Sequence, residues 1–219
     1  GVQRSFGVAP VEQGEHVFRY ASGDYVGTRY EVEPDASSAS YPLAAAAIAG
    51  GRVVVSGLGR SSLQGDSQFV DVLVRMGCSV ERNGDDVVLS RAKETPLVGV
   101  TVDMRDMSDL VPTLAVVAAF AQTATTITGV GFIRKKESDR ISDLAHELRA
   151  LGVSVDERQD GLTVHPSTTH AGSVDTHHDH RLAMSLALIG LVTPGVVIND
   201  PMVVTKSWPE YWQMLGALK

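Results

Sequence analysis

The segment GFIRKKESDR places three cations in a row within an acidic chain. Lys136, Glu137 and Arg140 follow a β-branched stretch and precede the helical pattern SDLAHELRAL. Cations at this point oppose the dipole of the helix, because a helix N-terminus carries partial positive charge. An anion bound to the first N–H groups would offset that repulsion. The segment is therefore either a charged first helical turn, capped by Ser138 or Asp139, or an anion-binding site.

Two other charged residues stand where predicted elements meet. Asp109 begins the apolar pattern DLVPTLAVVAAF, and Pro112 falls in the first turn, where its missing N–H costs little. Taken alone, Asp109 could simply cap that helix or complement its dipole. Lys206 lies between the last predicted strand and the last predicted helix. By itself, Lys206 could be an ordinary surface lysine.

The motif HHDHR opens another apolar helical pattern. Three close histidines suggest a metal site, but His177 and His178 are adjacent, and no further His/Cys pair follows at zinc spacing. The metal site is the less favoured interpretation. We expect instead that Asp179 caps the helix, and that His180 and Arg181 face a shared cleft.

Together these residues describe one kind of chemistry. Guanidinium groups suit the oxygens of carboxylates and phosphates, while lysines act as point charges. Two carboxylates within a cationic site are what acid–base chemistry on an anionic substrate requires. The candidate site residues are Asp109, Lys136, Glu137, Arg140, His180, Arg181 and Lys206.

A threefold internal repeat would position this set. An apolar helical run followed by an alternating strand starts at residues 37, 108 and 178, about 71 positions apart. A second helix follows each strand, at 67–76, 138–151 and 208–218. The middle one carries a helical apolar stripe formed by Ile141, Leu144, Ala145, Leu148 and Leu151. The first two units then end in the hairpins MGCSVERNGDDVVLS and LGVSVDERQDGLTVHP. This order predicts mixed sheets covered by helices, with the charged junctions on one rim.

Composition limits the class of protein. With 219 residues, 43% of them hydrophobic, the chain can bury one large core or two small ones. A net charge of -7 argues against general nucleic-acid binding. The apolar runs are too short to span a membrane, and no signal-like segment opens the chain. The single cysteine, Cys78, excludes an internal disulfide and favours burial over nucleophilic chemistry. We expect a soluble, cytoplasmic protein.

The N-terminal segment SFGVAPVEQGEHVFRY reads as the closing hairpin of a preceding unit, with Gly7 in the place of Gly77 and Gly152. The helix and strand that should precede it are absent, and the chain opens on Gly1. We therefore expect the sequence to be part of a longer protein.

At these residues the sequence closely resembles the C-terminal lobe of the 5-enolpyruvylshikimate-3-phosphate synthase family (3-phosphoshikimate 1-carboxyvinyltransferases). The motifs DASSAS with AAAAIAGG, GRSSLQGD, KKESDR, DHRLAM and TKSWPEYW occur in the family's order between Asp35 and Leu218. The resemblance implies that residues 1–34 are the tail of the N-terminal lobe with the crossover, and residues 35–219 the C-terminal lobe. The implied fold is α/β, with βαβαββ-type units forming one lobe of a two-lobed inverse α/β barrel.

The resemblance also implies a reaction and its substrates. The enolpyruvyl group of phosphoenolpyruvate would move to the 5-hydroxyl of shikimate 3-phosphate through a tetrahedral intermediate, and phosphate would leave. This step belongs to the shikimate pathway of aromatic amino-acid biosynthesis. It needs no metal or organic cofactor, and the herbicide glyphosate would compete for the phosphoenolpyruvate part of the site. We expect the complete enzyme to be a monomer.

By motif position, the resemblance gives each candidate residue a role. Asp109 would be the base near the 5-hydroxyl, and Glu137 the acid/base at the methylene carbon. The remaining residues would bind substrate: phosphoenolpyruvate through Arg140, Arg181 and Lys206, its phosphate region with support from His180, and shikimate 3-phosphate through Lys136. Ser138 and Asp139 would only begin the helix, while Arg134 and Lys135 would be surface charges.

Two departures from the family pattern limit this interpretation. Phe132 stands where many members have an asparagine that contacts the shikimate phosphate. The N-terminal lobe, with its own substrate ligands, is absent, so we expect this chain to be inactive alone. Two alternatives stay open: a non-catalytic half of a split enzyme, and a transferase acting on UDP-N-acetylglucosamine. The motifs DHRLAM and KKESDR favour the shikimate branch over the second.

Overall fold

The computed structural model describes residues 2–14, 17–59 and 62–218, so Arg60 and Ser61 of the GRSSLQGD motif lie outside the described residues. The chain divides into two compact units, Gly1–Pro34 and Asp35–Lys219. In the first unit, a short helix α1 (Val2–Ser5) precedes two antiparallel strands, β1 (Pro10–Gln13) and β2 (Phe18–Tyr20). The hairpin predicted for this segment is thus present. The assignment of the two units to two lobes stays a prediction.

The first repeat of the larger unit has the predicted order of elements. Its elements are α2 (Ala36–Ala49), β3 (Gly51–Val55), α3 (Phe69–Arg75), β4 (Ser79–Asn83) and β5 (Asp86–Arg91). The strands form an antiparallel sheet in the order β3-β5-β4. The glycine that follows the second helix is in the left-handed region, where side chains are disfavoured (Gly77, φ 107°). The equivalent Gly7 and Gly152 share this conformation, with φ of 82° and 87°.

The second repeat has an additional strand at its start. Its elements are β6 (Thr101–Asp103), α4 (Val111–Ala118), β7 (Thr125–Thr128), α5 (Ser142–Ala150), β8 (Val155–Arg158) and β9 (Gly161–Val164). The sheet order is β6-β7-β9-β8, in which β6 and β7 are parallel and the other pairs are antiparallel. This is the predicted mixed sheet, and its order along the chain is βαβαββ.

The third repeat follows the same order as far as its second helix. It comprises β10 (Gly172–Val174), α6 (His180–Ala187), β11 (Val196–Ile198) and α7 (Tyr211–Ala217). Strands β10 and β11 are parallel, as β6 and β7 are. No helix in the described part of the chain is both long enough and apolar enough to cross a membrane.

The helices are shorter than the sequence patterns suggested. Short 3₁₀ turns at Gly65–Gln68, Arg105–Leu110 and Leu188–Leu191 take up residues that the apolar patterns assigned to α-helix. The helix expected from residue 138 begins at Ser142. Local side-chain hydrogen bonds explain this last difference, as described below.

The core lies where the first helices of the three repeats meet. Every residue of α4 is buried, and the alanines of α2 allow close packing against it. The hydroxyls of Ser40, Thr113 and Ser185 form a buried chain across α2, α4 and α6, with oxygen–oxygen distances of 3.3 and 3.2 Å. The predicted apolar stripe on α5 is confirmed, and so is the burial of Cys78, which raises the pKa of its thiol to about 11. The three repeats therefore share one core.

Arg91 closes the C-terminal end of α2. Its side chain is buried, its Nε donates to the carbonyl of Ala47 at 2.5 Å, and Nη2 donates to the carbonyl of Ile48 at 3.0 Å. Nη1 donates to carbonyls of the turn that follows β5, including that of Thr95. The last carbonyls of a helix have no partner within the helix, so this guanidinium satisfies groups that would otherwise be orphaned.

Replacing Arg91 with methionine tests this cap. Arg91→Met keeps an unbranched apolar stem but leaves several buried carbonyls without donors, so we expect a loss of about 2–4 kcal/mol in the free energy of unfolding. Urea denaturation followed by circular dichroism measures it. Arg52→Met, on the exposed side of β3, is the matched control and should change stability by less than about 0.5 kcal/mol. Equal losses in the two variants would contradict the capping role.

Candidate active site

The seven candidate residues come from four junctions between elements. Asp109 lies in the 3₁₀ turn before α4, and His180 and Arg181 form the first turn of α6. Lys136, Glu137 and Arg140 occupy the irregular stretch between the 3₁₀ turn Gly131–Lys135 and α5. Lys206 ends the 3₁₀ turn Pro201–Lys206. The structure brings all seven into one connected network of ion pairs and hydrogen bonds.

Asp109 is the centre of the first half of this network. Its Oδ1 accepts from Lys136 Nζ at 3.1 Å and from Arg140 Nη1 at 2.9 Å, and its Oδ2 accepts from Arg181 Nη2 at 2.9 Å. Burial raises the pKa of Asp109, but the three cations outweigh burial and hold the pKa below its ordinary value. The alternative of a helix cap is wrong, because α4 is preceded by Leu110 and has no side-chain cap.

Glu137 is the centre of the second half. Its Oε2 accepts from Lys206 Nζ at 2.7 Å and lies 2.9 Å from His180 Nδ1. Arg140 Nη2 is 3.9 Å from the same oxygen, so Arg140 connects the two halves. Burial raises the pKa of Glu137, but the hydrogen bonds from Lys206 and His180 lower it by more, so the net shift of the pKa is downward.

His180 is held as a neutral imidazole. Burial lowers its pKa, and the attraction of Glu137 does not reverse that shift. An ionised carboxylate can only accept hydrogen bonds, so the proton of neutral His180 resides on Nδ1 and is donated to Glu137. His180 therefore orients Glu137 without adding charge to the site.

Asp179 is the residue whose role sequence reasoning understated. As predicted, it caps α6, accepting from the backbone N–H of Arg181 at 2.8 Å. Its fully buried carboxylate also accepts from Arg140 Nε at 2.6 Å and Nη2 at 3.2 Å. Burial raises the pKa of Asp179, but Arg140 reverses the shift and the net pKa is low. No local signal in the sequence identifies Arg140 as its partner.

The turn before α5 corrects two expectations. Asp139 does not cap α5, whose N-cap position is Ile141 without a side-chain cap, but its Oδ1 accepts from the backbone N–H groups of Ile141 at 3.1 Å and Ser142 at 2.9 Å. These hydrogen bonds hold residues 139–142 in a turn, so α5 begins at Ser142 and Arg140 lies in the turn before it. The role assigned to Ser138 is wrong, because its hydroxyl donates to Asp179 at 3.1 Å.

Arg134 is not the surface charge that was expected. Its guanidinium donates to Asp139 at 3.0 Å, to Ser142 at 2.8 Å and to Glu157 of β8 at 2.9 Å. These contacts fasten the turn that carries the site residues to the neighbouring sheet. Lys135 is exposed, as expected, and Phe132 has half of its surface exposed.

The three histidines of HHDHR do not converge. His177 Nε2 lies 2.7 Å from the buried carboxylate of Glu147 on α5, whereas His178 is almost fully exposed. Ligand atoms of Glu137, Asp179 and His180 do lie within 4.8 Å of one another. Arg140 and Lys206 already donate to those carboxylates, so a metal cation there would face two positive charges. With these cations present, the site is better suited to binding an anion than a metal ion.

The site is open to solvent through its lysines. The side chains of Lys136 and Lys206 are 37% and 49% exposed, while that of Arg140 is 2% exposed. Arg140 is held by two carboxylates, but the lysines and Arg181 can exchange a carboxylate oxygen for an oxygen of an incoming anion. The arrangement can therefore bind anions beside two ionised carboxylates able to accept protons.

Comparison with known proteins decides the family. The family model described as EPSP synthase (3-phosphoshikimate 1-carboxyvinyltransferase) matches residues 4–215. The chain belongs to this family. A 3-phosphoshikimate 1-carboxyvinyltransferase of Methanosphaerula palustris is 47% identical over 216 residues, which cover 99% of this chain and 51% of the relative. A relative of the same name from Nostoc punctiforme is 45% identical, with 94% of this chain and 48% of the relative covered.

Solved structures confirm the predicted α/β fold. EPSP synthase from Acinetobacter baumannii matches with a TM-score of 0.82 at 29% identity, covering 98% of this chain and 52% of that one. The enolpyruvyl transferase NikO from Streptomyces tendae matches with a TM-score of 0.77 at 23% identity, a similarity of fold alone. The chain spans about half the length of the curated relatives it matches.

The buried pair of Arg140 and Asp179 leads to a stability prediction. Asp179→Asn removes the buried carboxylate that pairs with Nε and Nη2 of Arg140, whose side chain is 2% exposed, so we expect a loss of about 3–5 kcal/mol in the free energy of unfolding. Urea denaturation at neutral pH measures it. Asp71→Asn, which breaks the surface pair with Arg82, is the matched control and should cost less than about 1 kcal/mol. A loss of that size for Asp179→Asn would contradict the buried-pair interpretation.

The carboxylates of the site predict a dependence of stability on pH. A carboxyl group whose pKa is lower folded than unfolded stabilises the protein above its unfolded pKa, and this contribution disappears as pH falls through the folded value. Asp109 and Asp179 have an ordinary pKa of 3.8 and Glu137 one of 4.5, and all three are lowered.

We therefore expect the free energy of unfolding to be steady from neutral pH down to about 4.5 with respect to these groups, and to fall below that. Urea unfolding between pH 3 and pH 7 measures it. In Asp179→Asn the acid-side slope should be shallower, because one titrating group is removed. An unchanged slope in that variant would contradict the lowered pKa of Asp179.

Proposed function

We propose that this chain supplies one half of the active site of an enzyme that transfers the enolpyruvyl group of phosphoenolpyruvate to the 5-hydroxyl of shikimate 3-phosphate, releasing phosphate. The observation that carries the proposal is the pairing of Asp109 and Glu137, each held ionised by its own cations and joined through Arg140. Family membership supports the reaction class, and this geometry supports the residue roles.

The cations account for substrate binding. Phosphoenolpyruvate carries a carboxylate and a phosphate, and guanidinium groups recognise such oxygens in a fixed orientation. Among the residues that the structure describes, Arg181 and Lys206 each have one carboxylate partner, which a substrate oxygen can replace. Lys136, beside Asp109, would hold shikimate 3-phosphate next to the base.

Asp109 suits the role of base in the first step. The 5-hydroxyl oxygen bonds to C2 of phosphoenolpyruvate, its proton passes to Asp109, and C3 takes a proton from Glu137 to give the tetrahedral intermediate. In the second step C3 returns a proton to Glu137 and the bond from C2 to the phosphate oxygen breaks. The leaving phosphate takes up the proton held by Asp109, so both carboxyl groups return to their starting states. The lowered pKa of Asp109 keeps it ionised at neutral pH and ready to accept a proton.

Glu137 must carry a proton to act in the first step, although its pKa is low in the ligand-free site. Lys206 and His180 are responsible for that low value, after burial has opposed it. When Lys206 turns to a substrate anion, and that anion adds negative charge nearby, the pKa of Glu137 rises. Substrate binding would therefore prepare Glu137 as an acid.

We infer that a second lobe closes the site. Asp109, Glu137 and the two lysines have about a third to a half of their side chains exposed, and water weakens electrostatic stabilisation of a transition state. A lobe bringing further ligands would exclude that water. A non-catalytic anion-binding half is the less favoured alternative, because anion binding alone gives no reason for two carboxylates among the cations.

Substitution of the two carboxylates tests the proposal. The chain is combined with the N-terminal lobe of the Methanosphaerula palustris relative, and phosphate release from phosphoenolpyruvate and shikimate 3-phosphate is measured. Asp109→Asn and Glu137→Gln should each lower turnover at least about a hundredfold, the usual contribution of an acid–base group. The chain without the second lobe should release no phosphate.

Matched controls separate chemistry from folding. Glu81→Gln and Asp71→Asn make the same chemical changes at exposed positions and should retain wild-type turnover. UDP-N-acetylglucosamine in place of shikimate 3-phosphate should give no phosphate release. Wild-type turnover in Asp109→Asn or Glu137→Gln would remove that residue from the mechanism.

A further inference from the structure

Tyr41 of α2 has a buried hydroxyl that the described part of the chain leaves without a hydrogen bond. The side chain is 1% exposed, and its ring packs edge-on against Tyr211, with centroids 5.6 Å apart, and at 6.4 Å from Trp208. The neighbouring Tyr211 differs, because its hydroxyl donates to the carbonyl of Met184 at 2.6 Å. Buried polar groups without a partner are rare in folded proteins, so this one calls for an explanation.

Among the charged groups that act on this hydroxyl, the Arg181 guanidinium acts most strongly, and Asp179 and Arg140 act more weakly. Arg181 makes no hydrogen bond of good geometry to the Tyr41 oxygen. Burial, only partly opposed by Arg181, raises the pKa of Tyr41, so the phenol stays neutral at any physiological pH. Its oxygen is therefore available as an uncharged acceptor.

Arg181 has donors to spare. Among the described residues its side chain makes one hydrogen bond, from Nη2 to Asp109 Oδ2 at 2.9 Å. Arg140, in contrast, uses Nε, Nη1 and Nη2 together on Asp109 and Asp179. A guanidinium has five N–H donors, so Arg181 can donate to a bound anion and to a neighbouring acceptor at the same time.

We propose that Tyr41 is a positioning residue for Arg181, whose guanidinium donates to the Tyr41 hydroxyl once an anion replaces Asp109 as its partner. This inference rests on the proposed function, in which Arg181 binds a phosphate or carboxylate group of the substrate. In the ligand-free site Asp109 draws the guanidinium to one side. When an anion replaces Asp109, the Arg181 guanidinium is free to turn and donate to the hydroxyl oxygen of Tyr41.

A phenol suits this task better than a carboxylate. A second carboxylate would orient Arg181 but would also cancel the charge that attracts the anion. Tyr41 offers an acceptor without charge, and the rings of Trp208 and Tyr211 fix its position. The bound state thus satisfies a hydroxyl that the ligand-free state leaves unpaired, which favours the anion-bound arrangement.

The test is the effect of Tyr41→Phe on phosphate binding by this chain. Melting temperature is measured against the concentration of inorganic phosphate, with sodium chloride keeping ionic strength constant, and the dissociation constant follows from the shift. We expect phosphate to stabilise the wild type. Tyr41→Phe should melt at the same temperature or higher without phosphate, yet bind phosphate about fivefold more weakly, the change expected from one ordinary hydrogen bond.

Two further variants make the result specific. Tyr211→Phe removes the same atom from the adjacent ring, so it should lower the melting temperature without altering phosphate affinity. Arg181→Lys keeps the charge but loses the fork, so it should weaken phosphate binding. Adding Tyr41→Phe to Arg181→Lys should then have no further effect, because the two residues act through one interaction.

The outcomes separate this inference from the function on which it rests. Wild-type phosphate affinity in Tyr41→Phe, with the Arg181→Lys effect intact, overturns the role of Tyr41 and leaves the anion site standing. Failure of phosphate to stabilise the wild type, or an unchanged affinity in Arg181→Lys, overturns the anion site at Arg181 and the inference with it.

Discussion

The charged site depends on one buried ion pair, between Arg140 and Asp179. Their side chains are 2% and 0% exposed, and neither charge could be buried at reasonable cost without the other. Arg140 comes from the turn before α5 and Asp179 from the cap of α6, so the pair ties the second repeat to the third. From this fixed position Arg140 reaches both Asp109 and Glu137. The two proposed proton-transfer groups are thus placed by a contact in which neither takes part.

Without ligand, the cations of the site pair with the carboxylates of the same site. Asp109 and Glu137 neutralise the cations that would otherwise repel one another, which keeps both carboxyl pKa values low. An incoming anion competes with these carboxylates for the same donors. Binding of an anion and the proton affinity of the carboxylates are therefore coupled, since each cation that turns to the anion no longer lowers the pKa of its carboxylate partner.

The repeat explains why such distant residues meet. Helices α2, α4 and α6 pack in the centre, their contact marked by the hydroxyls of Ser40, Thr113 and Ser185. Because equivalent helices pack side by side, their starts lie at one rim, and the junctions that precede them supply the charges. Tyr41 belongs to the first of these helices, which contributes no charged candidate residue but places a neutral hydroxyl beside Arg181.

The sequence by itself determined what short-range pattern encodes. The order of helices and strands in each repeat, the buried stripe of α5 and the cap at Asp179 followed from periodicity and residue type. Only the tertiary structure decided that Arg134 fastens its turn to β8, and that Asp179 neutralises Arg140. These features depend on contacts between residues far apart in the chain, 23 positions for Arg134 and Glu157 and 39 positions for Arg140 and Asp179. Such a contact leaves no periodic pattern in the sequence. The two charges stabilise each other strongly only after the repeats have packed and removed both of them from water.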